Sequence, residues 1–380
     1  MRTVFRLSTG VPVVLTALAA LAACGSDTAP ATSGSTAPGK VAVAATDTEC
    51  KVAVTQVTAG TTTFAITNGG SKVTEFYVYA PGDRVMAEVE NIVPGLTREL
   101  IAELPAGAYE TACKPGMVGK GIRNALKVTG EHKPLNADAR LAEATRSYAR
   151  YVKSQTDTLL VKTQEFVDAV KAGDLDKGKR LYPVSRTYWE RIEPVAEIFG
   201  DLDPAIDGRE ADLADGEEWT GFHRIEKDLW IHRDLSKTGP VADKLIADVR
   251  TIVAKANATE LTPLNLANGA KELLDEVATG KITGEEDIWS HTDLWDFDAN
   301  LQGSKAAVQA LRPVLEERSP DLVKTLDEKF AAAESALAAH QKGDGWRLHN
   351  ELSKAELRTL SDAINALAEP ISEIAPIVAK

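Results

Sequence analysis

The chain has 380 residues, 44% of them hydrophobic and 6% aromatic, which is enough to bury cores in two globular domains and excludes a disordered protein. Its formal net charge of -13 argues against a partner with a phosphate backbone, because such binding needs clustered Lys and Arg to displace counterions. Cations are the expected clients.

The first residues, MRTVFRLSTGVPVVLTALAALAACGSD, carry Arg2 and Arg6, then an apolar run too short to span a bilayer, then small residues ending at Cys24. This is the pattern of an export signal. The ending Leu21-Ala22-Ala23-Cys24 resembles the lipobox of bacterial lipoproteins, which implies a signal peptide over 1–23, acylation of the Cys24 thiol and an extracytoplasmic protein anchored to the cell membrane. The following SDTAPATSGSTAPGK cannot bury enough surface to order itself and reads as a flexible tether over 24–40.

From 41 to 130 the texture changes to short β-rich runs, among them KVAVTQV, TTTFAITN, EFYVYA and RELIAEL, separated by NGG, APGD, VPG and PAG turns. Alternation at Thr62, Phe64, Ile66 and at Leu100, Ala102, Leu104 predicts half-buried strands of a β-sandwich. The stretch FAITNGGSKVTEFYVY, followed by GAYETACKPGMVGKG, resembles the cupredoxins. A blue-copper centre needs two histidines and a cysteine, and this module has no histidine, so ordinary blue copper is excluded. Glu75 stands where a cupredoxin would place its first histidine. Two readings stay open for the remaining cysteines. Cys50 and Cys113 form a disulfide in an oxidising compartment, or they join Glu75, with Met117 or Glu90, in a mixed thiolate and carboxylate site for copper, iron or zinc.

Beyond EHKPLNADAR helical periodicity takes over, so 131–380 is expected to be an all-α antiparallel helical bundle, interrupted by the acidic loop DLDPAIDGREADLADGEE and by GKITGEED. All six histidines and all six tryptophans lie in this part. In GFHRIEKDLW, His223 and Glu226 are three residues apart and share a helix face, where a metal or a buried hydrogen bond can be made.

That pattern, with ANGAKELLDEVATGKITGEEDIWSHTDLWDF, resembles the imelysin-like domain, whose signature is Gly-x-His-x-x-Glu. An imelysin-like domain behind a cupredoxin-like module resembles the family of EfeO-type iron-uptake lipoproteins. The resemblance implies an extracytoplasmic, non-enzymatic iron carrier that works with an iron permease and a haem peroxidase. It makes His223 and Glu226 iron ligands. Further oxygen donors are sought among Asp275, Glu276, Glu286, His291, Asp293 and Asp296, with Glu276 and Asp293 preferred. Capping boxes starting at Thr283 and Ser290 are the plainer roles for Glu286 and Asp293. The rival reading is a zinc-dependent peptidase of the imelysin-like class, but a zincin helix carries His-Glu-x-x-His, which is absent.

Overall fold

The computed structural model describes residues 40–380 apart from 201, 214 and 215, so the signal segment, Cys24 and the tether up to residue 39 lie outside the described residues. Two sheets build the N-terminal module. The first runs β2 (Cys50–Val52), β1 (Lys40–Ala45), β4 (Gly60–Asn68), β7 (Thr97–Leu104). The second runs β3 (Gln56–Thr58), β9 (Ile122–Thr129), β8 (Gly107–Cys113), β5 (Thr74–Ala80), β6 (Arg84–Ile92). Their inner faces meet over Val43, Phe64, Ile66, Phe76, Val78, Leu100 and Leu126, which gives the sandwich its core. Alternation holds in β1, where every second residue is buried, because one face of that strand is open to solvent.

In β5 the alternation fails, and six consecutive residues from Thr74 to Tyr79 are buried. One face of β5 carries Phe76 and Val78 into the sandwich core. The other carries Glu75, Tyr77 and Tyr79, and with Glu88 and Glu90 of β6 it faces the helical part. There Tyr77, Tyr79, Glu88 and Glu90 share a cleft of ≈ 390 Å³ with Asp203, Arg209 and Asp212. The two modules are also joined directly: Arg98 is ion-paired with Asp275, and the Asn268 side-chain amide donates to the Ile101 carbonyl at 3.0 Å.

The helical module comprises α1 (Ala139–Lys171), α2 (Leu175–Glu190), α3 (Glu193–Ala196), α4 (Leu202–Asp207), α5 (Gly221–Lys227), α6 (Gly239–Ala258), α7 (Pro263–Thr279), α8 (Asp293–Arg318), α9 (Pro320–Ala338), α10 (Lys354–Ile371) and α11 (Ile374–Val378). Asp138 caps α1 by accepting from the Arg140 and Leu141 amides. Gly173, at φ 72°, turns the chain back into α2, whose first turn is capped by Asp174. The buried stripe of α1, including Leu159, Phe166 and Val170, packs in one core with Trp189 of α2, Leu245 and Val249 of α6, Leu274 of α7 and Leu311 of α8. No helix among the described residues is long and apolar enough to cross a membrane.

Candidate metal centre

The centre grows from the start of α5. Gly221 sits at φ 86°, and a Cβ there would collide with the Ile206 carbonyl of α4. Glycine therefore lets α5 begin against α4, which brings Asp207, the last residue of α4, next to His223. A π-helical turn over Asp228–His232 follows α5 directly. From α2, Tyr182, Arg186 and Glu190 project on one face at four-residue spacing. The segment between α7 and α8 supplies Glu286 and Asp287.

His223 is 1% exposed and Glu226 is fully buried. The imidazole has two unlike poles. Its Nε2 faces the Arg186 Nη1 at 3.2 Å, Glu286 Oε1 at 3.4 Å and Asp207 Oδ1 at 3.5 Å. Its Nδ1 faces Glu226 Oε2 at 3.3 Å, the Tyr182 hydroxyl at 3.2 Å and Asp287 Oδ1 at 3.9 Å. Arg186 lies wholly inside this set. It donates to Asp207 and Glu190 and, at 2.8 Å, to Glu286. Beside it Lys281, 3% exposed, reaches Glu190 at 2.6 Å, Glu193 at 3.1 Å and Glu276 at 3.0 Å.

Among the described residues three groups have their donor atoms within 4.8 Å of one another: Asp207, His223 and Glu286; His223, Glu226 and Asp287; and Glu190, Glu193 and Asp207. Asp207 belongs to the first and the third, so the imidazole site and the all-carboxylate site are contiguous. Acid outnumbers base throughout. Burial, and then Asp287, pushes the Asp296 carboxyl well above the carboxylate range, and neither of its oxygens has a hydrogen-bond partner. Burial likewise lifts Asp287 to about 6. Glu286 is pushed up by burial, but Lys281 and His223 outweigh this and hold it well below the ordinary value. Burial and Arg186 push His223 down, yet Asp207, Glu226 and Glu286 together hold it at about 10. The carboxylates on both sides of the imidazole thus favour its protonated form, while the Arg186 Nη1, 3.2 Å from Nε2, opposes it. Oxygen donors with one imidazole form a set suited to iron.

The donors expected from the sequence are distributed differently. His223 and Glu226 do lie side by side. Glu276 is drawn instead to Lys281, and Asp293 Oδ1 accepts from the Asp287 amide at 3.3 Å; neither reaches His223. Asp275 is occupied by Arg98 and Lys271 at the module interface. His291 adopts φ 59°, and its carbonyl accepts from the His349 amide. No capping box forms at Thr283, whose hydroxyl bonds the Gly280 carbonyl, so Glu286 is free to turn inward. Sequence reasoning missed Glu190, Glu193, Asp207 and Asp287. The available signal was a charged triplet, Arg186, Glu190 and Glu193, placed around the buried Trp189.

In the β module Cys50 and Cys113 are joined in a disulfide. This corrects the mixed site of Cys50, Glu75 and Cys113, since a disulfide offers no thiolate to a metal. Glu75, 4% exposed, lies 3.6 Å from Lys114 instead, and burial raises its carboxyl to about 7. Tyr77 donates to Glu90 at 3.0 Å, and Glu90 is raised by burial to about 8. Met117 sits in the turn after β8 at φ 60°.

Residues 144–374 match the imelysin family, and residues 14–122 match the cupredoxin-like domain. The iron uptake system component EfeO of Escherichia coli is 37% identical over 344 residues, covering 88% of this chain and 90% of that protein. The EfeO of Shigella flexneri gives the same figures of 37%, 88% and 90%. A solved structure described as an iron-regulated protein A precursor, from Parabacteroides distasonis, aligns with TM-score 0.49 at 14% identity, over 62% of this chain and 95% of that one.

Proposed function

Since the chain belongs to the EfeO family of iron-uptake components, with a cupredoxin-like module ahead of an imelysin domain, we propose that it binds iron inside the helical module and passes it to an iron permease. The observation that carries this reading is the Nε2 pole of His223, where Asp207 and Glu286 converge on one buried imidazole. Glu190 and Glu193 extend the same carboxylate surface through Asp207. Iron takes the place of the Nε2 proton and relieves the excess of negative charge that Arg186 and Lys281 offset only in part. Binding therefore releases protons.

The protein works outside the cytoplasmic membrane, held there through Cys24, and a haem peroxidase of the same system acts on the iron before or during transfer. The β module contributes no thiolate site. Its acidic face, opposite α4 and α7, draws cations toward the cleft between the modules. Hydrolysis is not its task. A catalytic zinc keeps a water-bearing position open to substrate, and an imidazole that is 1% exposed leaves a polypeptide no access.

The test is anaerobic Fe(II) loading of the whole chain followed by elemental analysis, comparing wild type with His223→Ala, Asp207→Ala and Glu286→Ala. Stoichiometric iron in wild type and its loss in each variant are expected. Equal iron in all four proteins would overturn the assignment.

A further inference from the structure

Resting on the iron-binding reading above, we infer that Glu226, the acidic residue of Gly-x-His-x-x-Glu, is a positioning residue and not an iron ligand: it holds His223 in the tautomer that presents a lone pair at Nε2.

The hydrogen bonds decide between the two roles. Glu226 Oε1 accepts from two backbone amides, Trp289 at 3.1 Å and Ser290 at 2.7 Å. Those donors belong to the main chain of the segment between α7 and α8 and cannot swing away. Glu226 Oε2 is the oxygen directed at Nδ1, 3.3 Å off. Tyr182 is the other neighbour of Nδ1, at 3.2 Å, but its single hydroxyl proton goes to Asp287 Oδ1 at 2.8 Å. The phenol therefore offers Nδ1 only lone pairs. Facing two acceptors, Nδ1 carries the hydrogen and donates it.

The second oxygen of Asp287 is taken as well, by the Thr292 hydroxyl. The carboxylates beside Nδ1 are thus anchored by hydrogen bonds from neutral donors, Glu226 through Oε1 and Asp287 through both oxygens, with the Arg186 Nε 3.6 Å from Asp287 Oδ1. At Nε2 the carboxylates of Asp207 and Glu286 are instead held by the Arg186 guanidinium, a counter-charge that an incoming cation replaces in kind. A metal-binding histidine commonly donates its other N–H to a carboxylate, which fixes the ring and raises its basicity. Glu226 occupies that place. The three-residue spacing in the signature is then the spacing of a ligand and its orienting partner, and the ligands proper come from α4, α5 and the segment before α8.

Glu226→Gln separates the possibilities. The amide carbonyl still accepts from Trp289 and Ser290, while its NH2 now points a donor at Nδ1 and drives the imidazole hydrogen to Nε2. Fe(II) affinity of the whole chain is measured anaerobically against a competing chelator. The hydrogen bonding of the non-ligating ring nitrogen is read by pulsed EPR on protein carrying one equivalent of Cu(II). The expected result is wild-type iron stoichiometry, affinity weaker by about 10–100-fold and a shifted remote-nitrogen coupling. Asp207→Asn should reduce the stoichiometry with the remote-nitrogen coupling unchanged.

Wild-type affinity in Glu226→Gln would reduce Glu226 to a backbone cap and overturn the inference. So would lost stoichiometry with an unshifted remote nitrogen, the behaviour of a direct ligand. If Glu226→Gln does not fold, Tyr182→Phe must shift the same nitrogen signal, and an unchanged signal there would count equally against it. A wild type that takes up no iron would overturn the reading beneath it, which keeps the two failures distinct.

Discussion

Replacing Arg186 with methionine is the sharpest test of how the centre is held together. The guanidinium is fully buried and hydrogen-bonded to Glu190, Asp207 and Glu286, with Asp287 and Asp296 each 3.6 Å from Nε. Methionine fills much of the same volume but leaves those carboxylates without their counter-charge. Removing one partner of a buried ion pair costs about 3–5 kcal/mol. For a domain of this size that lowers the melting temperature by roughly 6–20 °C. The carboxylates escape part of the cost by taking up protons, so the loss should be larger at pH 8 than at pH 6. Iron supplies the missing charge, and saturation at 100-fold over its dissociation constant restores about 2.7 kcal/mol. Urea unfolding of Arg186→Met with and without anaerobic Fe(II) measures both quantities. A metal-free variant within about 1 kcal/mol of wild type, well short of the cost of breaking a buried pair, would refute the argument. So would a variant that iron fails to restore.

The folded pKa of His223, about 10, lies above its unfolded value of 6.5, so its contribution to stability is complete below pH 6.5 and drains away as pH rises toward 10. Urea unfolding of the ion-free protein should lose stability across that window, with His223 adding at most about 1.4 kcal/mol per pH unit to the share of the raised Glu75 and Glu90 carboxyls, so the slope should be shallower in His223→Gln; an identical slope in the two proteins would count against it. Gly221→Ala should cost roughly 1–3 kcal/mol and weaken iron binding, because the new Cβ pushes back the Ile206 carbonyl next to Asp207; unaltered melting would contradict this. Intact-mass analysis should show the Cys50–Cys113 pair gaining two hydrogens on reduction. Cys50→Ala with Cys113→Ala should lose about 4 kcal/mol on loop-closure grounds while keeping full iron stoichiometry; loss of iron would restore the cysteines as ligands.

The two-module architecture was legible because each half keeps one periodicity over long stretches: alternation in TTTFAITN, and a helical stripe in the run that became α1. β5 departs from the pattern for a physical reason, since Lys114 lies over the Tyr77 ring and beside Glu75 on its second face, which turns toward the cleft shared with α4 and not to open solvent. The histidine could be found because its glycine and glutamate travel with it in sequence. The other donors could not. Glu190 lies four residues after Arg186 and reads as an ordinary helix-surface ion pair until Trp189 and Arg186 are both seen to be fully buried. Asp207 sat in a stretch that looked like an acidic loop, and only the contact between α4 and α5 makes it a donor. Glu276 was sought because it is near in sequence, but Lys281, five residues on, holds it away.

The closed walls around His223 have a consequence for discrimination among ions. An ion that enters must leave its hydration shell behind, and the penalty for doing so differs between metals before any donor atom is counted. Magnesium surrenders water reluctantly and keeps several molecules in most protein sites. Donors as deeply buried as His223 and Glu226 would therefore disfavour magnesium by the cost of stripping its water, whatever the shape of the pocket.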